Sequence, residues 1–318
     1  DLKTAEGREI FLKMLEDTDV VAQNYRAGSL QKLGLGYEDL KKHKPDLIYA
    51  SLNAYGHIGP WAGRPGHEGF AQATAGMTRR FGGDGKPASQ PNPINDYGTG
   101  FMGAYGVALA LLHRQRTGQG QHIDAALAYT AMTLQSPFMQ MYEGKEWNET
   151  SGQDSLGTSP LRRAYQASDG WFFLGASEFD LEKMAHVSGL SDIQNLDFEA
   201  LAPSLEERFL SNTVSSWVNE LTDIGIGAQR VMNRVRDLMI DPWAISHGLS
   251  ITREHDDIGI TTTCGPSPRL SRTPVQPGRP APKPGSDAQS ILNDHDMGDN
   301  LQKLIDTGII LTDGVRAG

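Results

Sequence analysis

The stretch "DVVAQNYRAGSLQKLGLGYEDLKKHKPDLIYASLNAY", residues 19–55, decides the fold class. "DVVAQNY" (19–25) reads as a short buried strand, and "LIYASLNAY" (47–55) as a second β-branched and aromatic run. Between them "GYEDLKKHKP" (36–45) reads as a polar-faced helix stopped by a proline. Strands alternating with helices at this spacing imply a parallel sheet with crossovers, the doubly wound α/β class. Ligands in such sheets bind beyond the carboxyl ends of the strands. The loops after the two strands, "NYRAGS" and "NAYGHIGPWAGRPGHEG", are therefore the first places to look for a site.

Upstream, "DLKTAEGREIFLKML" enters a helix almost at once, with Thr4 as its N-cap and Ile10, Phe11, Met14 and Leu15 as its apolar stripe. Such a start suggests a strand that has lost what came before it. Downstream, helices are expected over 68–80, 97–114 and about 122–142. "RAYQASDGWFFLGAS" (163–177) has the form of a hairpin around an Asp-Gly turn. Helical segments follow at 178–188, 205–224 and 230–247, and "LSITREHDDIGITTT" is a further β-like run. Roughly 161–266 thus reads as a smaller α+β domain. The Pro-rich segment 265–285 is extended and semi-rigid, returning the chain to a helical tail over 287–307.

The 318 residues can hold one large domain or two modest ones. A net charge of −10 argues against non-specific binding to nucleic acid or anionic membrane, although a local basic patch could hold an anionic ligand. The single cysteine, Cys264, cannot form an internal disulfide, which points to a reducing, cytoplasmic setting. The uncharged run Tyr97 to Leu112 is glycine-rich and shorter than the ~20 residues of a bilayer span. It reads as a buried helix of a soluble protein.

Several residues invite chemistry, each with an ordinary alternative. Arg26 and Lys32 in "NYRAGSLQKLG" could hold phosphates, or could be common surface charges. "GGDGKP" (82–87) lacks the Walker pattern and reads as a turn. His67 in "RPGHEG" is a catalytic candidate or a satisfied loop residue. Asp96 in "NPINDYGTG" has the position of a helix N-cap. Glu178 follows a hydrophobic strand and begins a helix, where a negative charge is favoured in any case. The histidines show no zinc-type spacing with one another or with Cys264, and no G-x-S-x-G elbow is present.

The long words of the sequence go further. Residues 1–66, "INDYGTGFMGAYGVALALLHRQRTGQGQHID" (94–124), "YQASDGWFFLGASE" (165–178), "RLSRTP" (269–274) and "APKPGSDAQSIL" (281–292) together resemble the family III CoA-transferases. This is the carnitine and bile-acid CoA-transferase family, which also includes the 2-methylacyl-CoA racemases. The resemblance implies a Rossmann-like large domain from residues 1–160 and 267–318, a small domain over 161–266, and two subunits threaded as interlocked rings. It also implies that a first strand–helix unit normally precedes the segment beginning at Asp1. The substrate implied is a coenzyme A thioester, with no permanently bound cofactor and a carboxylic acid as a possible acceptor; the partner subunit is a second copy or a paralogue.

Matched residue by residue, Asp1, Leu2 and Lys3 fall in the family's first CoA-contacting motif, and Asn24, Tyr25 and Arg26 in the second. Lys32 takes a position that is basic in relatives. Arg64, Pro65, Gly66 and His67 match the loop that runs along CoA toward the thioester. The transferase nucleophile is an aspartate five residues beyond the position of Asp124, and Tyr129 stands there. On a helix, five residues turn about 140°, so Asp124 is not expected to replace it. The acid–base groups of the racemase branch match His67, Asp96 and Glu178. Transferase chemistry with the aspartate supplied from elsewhere, α-proton transfer, and non-catalytic CoA binding all remain open at this point.

Overall fold

The hydroxyl of Thr4 accepts the Gly7 N–H (3.0 Å) and caps helix α1 (Ala5–Leu15) in a computed structural model that describes residues 1–147 and 149–311. Strand β1 (Val20–Gln23) follows, then a one-turn helix α2 (Tyr37–Leu40) and strand β2 (Ile48–Asn53). The helix expected over 36–45 is thus a single turn, since Pro45 disfavours helical backbone just before it. Leu15, Leu30, Leu35, Leu40, Leu47 and Tyr49 form the buried cluster around these elements, and the Tyr49 hydroxyl donates to the Leu35 carbonyl (3.1 Å).

The expected helix over 68–80 is two helices, α3 (Glu68–Thr74) and α4 (Met77–Gly82). Gly76 between them has a φ of 72°, a left-handed conformation that interrupts regular helix. Helix α5 (Ile94–Thr117) is longer than expected. The segment expected as one helix from about 122 divides differently: His122–Ala126 is strand β3 and Leu127–Leu134 is helix α6. Asp124 therefore stands on a strand and Tyr129 on a helix, and the helical-rotation argument relating them does not apply. "HIDAA" is too short for its period to separate strand from buried helix, and pairing with β2 decides it.

The three strands form a parallel sheet in the order β1-β2-β3, with Gln23 opposite Ser51 and Ser51 opposite Asp124. Helix α5 lies against it through glycines. A Cβ at Gly103 would fall 2.7 Å from Leu52 Cδ2, and one at Gly106 would fall 2.9 Å from Ile123 Cγ2. The expected α/β class with a parallel sheet is what the structure contains.

The chain divides into two compact units, one comprising Asp1–Gly152 and the chain from Lys283 onward, the other Gln153–Pro282. In the second unit, β4 (Gly157–Ser159), β5 (Arg162–Ala167) and β6 (Gly170–Gly175) precede helices α7 (Leu181–Met184), α8 (Phe198–Phe209) and α9 (Val214–Asp223). Strand β7 (Gly227–Arg230) completes an antiparallel sheet, β4-β5-β6-β7, which contains the expected hairpin. Helix α10 (Pro242–Ser246) and the hairpin β8 (Ser250–His255) and β9 (Gly259–Cys264) follow.

Three helical expectations need correction here. The first, 178–188, reduces to a 3₁₀ turn and the single turn α7. The second, 205–224, splits where Thr213 caps a new helix. The third, 230–247, begins at the end of a strand and contains only a 3₁₀ turn and α10, which restarts at Asp241-Pro242. The core of this unit is aromatic. Phe209 meets Tyr165, Phe172 and Trp217 at ring separations of 4.9–5.1 Å, all steeply inclined, and Trp217 Nε1 donates to the Phe209 carbonyl (2.8 Å).

The returning chain adds α11 (Ala288–Asp294) and α12 (Leu301–Asp306) to the first unit, where Leu292, Leu304 and Ile309 pack with Ile10. No helix among the described residues is long and apolar enough to cross a membrane.

Trp217→Ala is expected to destabilise the second unit by about 3–5 kcal/mol, through the lost volume and the orphaned Phe209 carbonyl. Denaturant titration followed by hydrogen exchange in α8 and α9 measures it. A pH effect is expected from His122, which burial, and then the neighbouring His57, push toward the neutral form. The unfolded state then binds the extra proton, so stability is full above the ordinary histidine value of about 6.5 and falls as the pH drops below it. Thermal unfolding from pH 8 to 5 should show this slope, and His122→Gln should flatten it.

Candidate active site

At the carboxyl end of β2 lies a cleft of about 500 Å³. Its apolar lining comes from Leu52, Ala54 and Leu127, and its polar lining from Asn24, Asn53, His67, Asp96 and Thr99. Gly66 contributes backbone; a Cβ there would fall 2.6 Å from Ala54 Cβ, so only glycine lets the His67 loop approach β2 this closely.

His67 is the N-cap residue of α3, with extended backbone and its ring edge-to-face on Phe70 at 4.8 Å. Its Nδ1 accepts the Gly69 N–H at 3.4 Å. Asp96 lies in the first turn of α5 and is not its cap. Pro93 occupies the cap position and has no side chain to offer, so the neighbouring helix supplies one. Glu68 Oε2 accepts the N–H groups of Asn95 (2.9 Å) and Asp96 (2.8 Å), while Oε1 accepts from Asn95 Nδ2 (2.8 Å) and Gln72 Nε2 (2.9 Å). One carboxylate thus joins the start of α3 to the start of α5, and with them His67 to Asp96. Partial burial, and then the charge of Glu68, hold the Asp96 carboxyl above its ordinary value, with His67 acting in the opposite direction.

Tyr129 is in the first turn of α6, 40% exposed. Its hydroxyl lies against Gly56, whose φ is 77°, and any Cβ at Gly56 would overlap it. Burial, followed by the charge of Asp124, raises the phenol further above its ordinary value. The turn carrying Gly56 is held from two sides. Asn53 Oδ1 accepts the N–H groups of Tyr55 (3.2 Å) and Gly56 (2.6 Å); Asp124 accepts the His57 N–H (2.9 Å) and pairs with His57 Nδ1 (2.8 Å). Asp124 is therefore engaged in holding the turn. Beside it, Gln23 Nε2 donates to Ser51 Oγ (2.8 Å), and Ser51 Oγ pairs with His122 Nε2 (2.9 Å).

Of the residues expected at the site, the cleft gathers Asn24, Gly66, His67 and Asp96. Tyr25, Arg26, Lys32, Arg64 and Pro65 are exposed on the flanking loops. Asp1, Leu2 and Lys3 are elsewhere in the same unit: the Asp1 ammonium donates to the Ile309 carbonyl (2.6 Å), and Leu2 packs beside the Leu15–Tyr49 cluster. Glu178 belongs to the second unit, exposed at the start of a 3₁₀ turn after Ser177. Among the described residues no three His, Cys, Asp or Glu side chains gather as a metal site.

Sequence reasoning overlooked Glu68, His57 and His122. A proline at a cap position was the available signal for Glu68, since a helix start without its own cap must borrow one.

The chain is similar to Mus musculus succinyl-CoA:glutarate CoA-transferase, 28% identical over 98% of this chain and 74% of that protein. It is 26% identical to the CoA-transferase/lyase DddD of Marinomonas sp. (strain MWYL1), over 96% of this chain but only 38% of DddD. Its structure matches that of a CaiB/BaiF family protein from Brucella suis with a TM-score of 0.76 and 28% identity, covering 93% of this chain and 80% of the other. The family profile matches residues 1–288, and the chain belongs to CoA-transferase family III.

Proposed function

We propose that this chain binds an acyl-CoA thioester at the cleft beyond β2 and takes part in transferring CoA to a carboxylic acid, with the nucleophilic carboxylate supplied by a partner chain or a further domain. The reading rests on Tyr129, which the family resemblance matches to the nucleophilic aspartate of the transferases. Transfer requires a carboxylate to attack the thioester carbonyl, expelling CoA as thiolate and leaving a mixed anhydride; the thiolate then attacks the enzyme's own carbonyl of that anhydride, releasing the donor acyl group as its carboxylate and forming an enzyme-bound CoA thioester, which the acceptor carboxylate attacks in turn. A phenol with an ordinary value of about 10, raised further here, supplies little nucleophile at neutral pH. Asp124, bound twice by His57, does not replace it.

Arg26, Lys32 and Arg64 on the loops flanking the cleft suit the phosphates of CoA, as does Lys3. Family members named as CoA-transferases support the reaction class, and DddD supports the further-domain alternative because this chain spans under two fifths of it. Support for a second chain, identical or paralogous, comes from α5. Tyr97, Phe101, Tyr105, Leu109 and Leu112 form a stripe along it and are 44–68% exposed.

A second reading is favoured by His67 and Asp96 lining one cleft. One group would remove the α-proton of the acyl-CoA, the electron pair moving into the thioester carbonyl as an enolate, and the other would return a proton to the opposite face.

Tyr129→Asp is expected to create a covalent acyl intermediate that hydroxylamine traps from butyryl-CoA, whereas the unaltered chain gives none. Failure of the variant to react despite bound butyryl-CoA would remove Tyr129 from the reaction centre. Deuterium uptake at Cα of 2-methylacyl-CoA in D₂O separates the readings. The transfer reading expects none from the isolated chain; uptake that disappears in His67→Ala would replace it with α-proton transfer.

A further inference from the structure

We propose that Glu68 is a positioning residue of this site: it caps α5 from α3, fixes Asp96 beside His67, and holds the Asp96 carboxyl ready to act on a bound thioester. The inference rests on reading the cleft as the acyl-CoA site, and applies to both reactions considered above. In the transfer reaction a tetrahedral adduct places negative charge on the thioester oxygen, to which a protonated Asp96 can donate a hydrogen bond; in α-proton transfer a protonated Asp96 is instead the group that returns a proton to Cα.

The geometry is unusual in its division of labour. An ordinary N-cap is a residue of the helix it serves; here Pro93 offers nothing, and both Oε2 hydrogen bonds come from a carboxylate on another helix. The bond to the Asp96 N–H brings that carboxylate directly to the backbone of the residue it acts on (2.8 Å). Two further bonds, from Asn95 Nδ2 and Gln72 Nε2, fix the orientation of Glu68. Gln72 is 1% exposed and also bonds Gln90 in both directions, through its Nε2 to the Gln90 carbonyl (3.2 Å) and its Oε1 to the Gln90 N–H (2.9 Å). The whole support is anchored in the fold.

The charged groups acting on Asp96 are Glu68, which favours the protonated form, and His67, which opposes it. Helix α6 also packs on α5; its one titratable side chain is Tyr129, which lies against Gly56, and it meets α5 through the Thr99–Thr130 hydroxyl pair (2.7 Å).

The test is Glu68→Gln. Glutamine can still accept both backbone N–H groups through its oxygen. Asn95 Oδ1, buried and without a hydrogen-bond partner, can receive the new amide donor if the Asn95 amide turns over. The charge is thereby removed with an acceptor kept for both backbone cap bonds, while Gln72 Nε2 loses its acceptor on residue 68. The Asp96 carboxyl is followed by carbon-13 NMR, assigned with Asp96→Asn, and butyryl-CoA binding is measured by calorimetry from pH 5 to 8. In Glu68→Gln the Asp96 midpoint should move to lower pH, and Glu68→Asp should restore most of it. The part of the pH dependence of binding that Asp96→Asn abolishes should move to lower pH in step. An unchanged Asp96 midpoint in a folded Glu68→Gln overturns the proposal, as does a midpoint that moves while binding keeps its pH profile. If butyryl-CoA binds at no pH, the cleft reading falls; the titration still decides whether Glu68 acts on Asp96.

Discussion

Strand β2 has a partner on each edge, and that constraint determines where the cleft lies. Its residues alternate between two jobs. Leu52 meets Gly103 of α5, while Tyr49, Ser51 and Asn53 are hydrogen-bonded to the loop before α2, to β1 and β3, and to the turn beyond the strand. A parallel strand cannot turn straight back into its neighbour, so the chain must leave β2 through a long excursion before it returns as β3. That excursion contains the His67 loop and α5. The cleft is the space the excursion leaves beside the strand end, as expected for a sheet of this class.

Within the excursion, short helices would be poor supports for catalytic groups if they stood alone. Helix α3 has only seven residues, and α5 begins without a capping side chain of its own. The Glu68 carboxylate answers both weaknesses by tying one helix start to the other. The contrast with Asp124 is instructive. That carboxylate has two bonds, both with His57, and it maintains a turn. Two acids close in type therefore serve different ends because their donors belong to different elements.

The parallel sheet and the importance of the loops after β1 and β2 were legible in residues 19–55, because β-branched runs and intervening turns are local signals. The strand His122–Ala126 was not, since five residues flanked by an apolar helix have no period of their own and become a strand only through β2. Asp96 illustrates a subtler failure. Sequence placed it correctly at a helix start, but position alone could not distinguish a residue that caps from one that is itself held by a cap on another helix. The aromatic centre around Phe209 shows the same limit, for the break at Thr213 that lets α9 fold against α8 is a tertiary compromise within a continuous apolar pattern. His67 was visible as chemistry in a glycine-rich loop; what it stands beside was not.

The hydrogen-bonded row Gln23–Ser51–His122 has a consequence for folding fidelity. Strands β1, β2 and β3 have only four, six and five residues, and parallel pairing between short apolar strands tolerates sliding. Sliding β2 by one residue would put Ala50 or Leu52 where Ser51 stands, leaving Gln23 Nε2 and His122 Nε2 without that hydroxyl. The two unsatisfied groups would penalise every misaligned arrangement while the native one satisfies both. The polar row thus acts as a key: it adds little to the depth of the native state, and it removes the competitors closest to it.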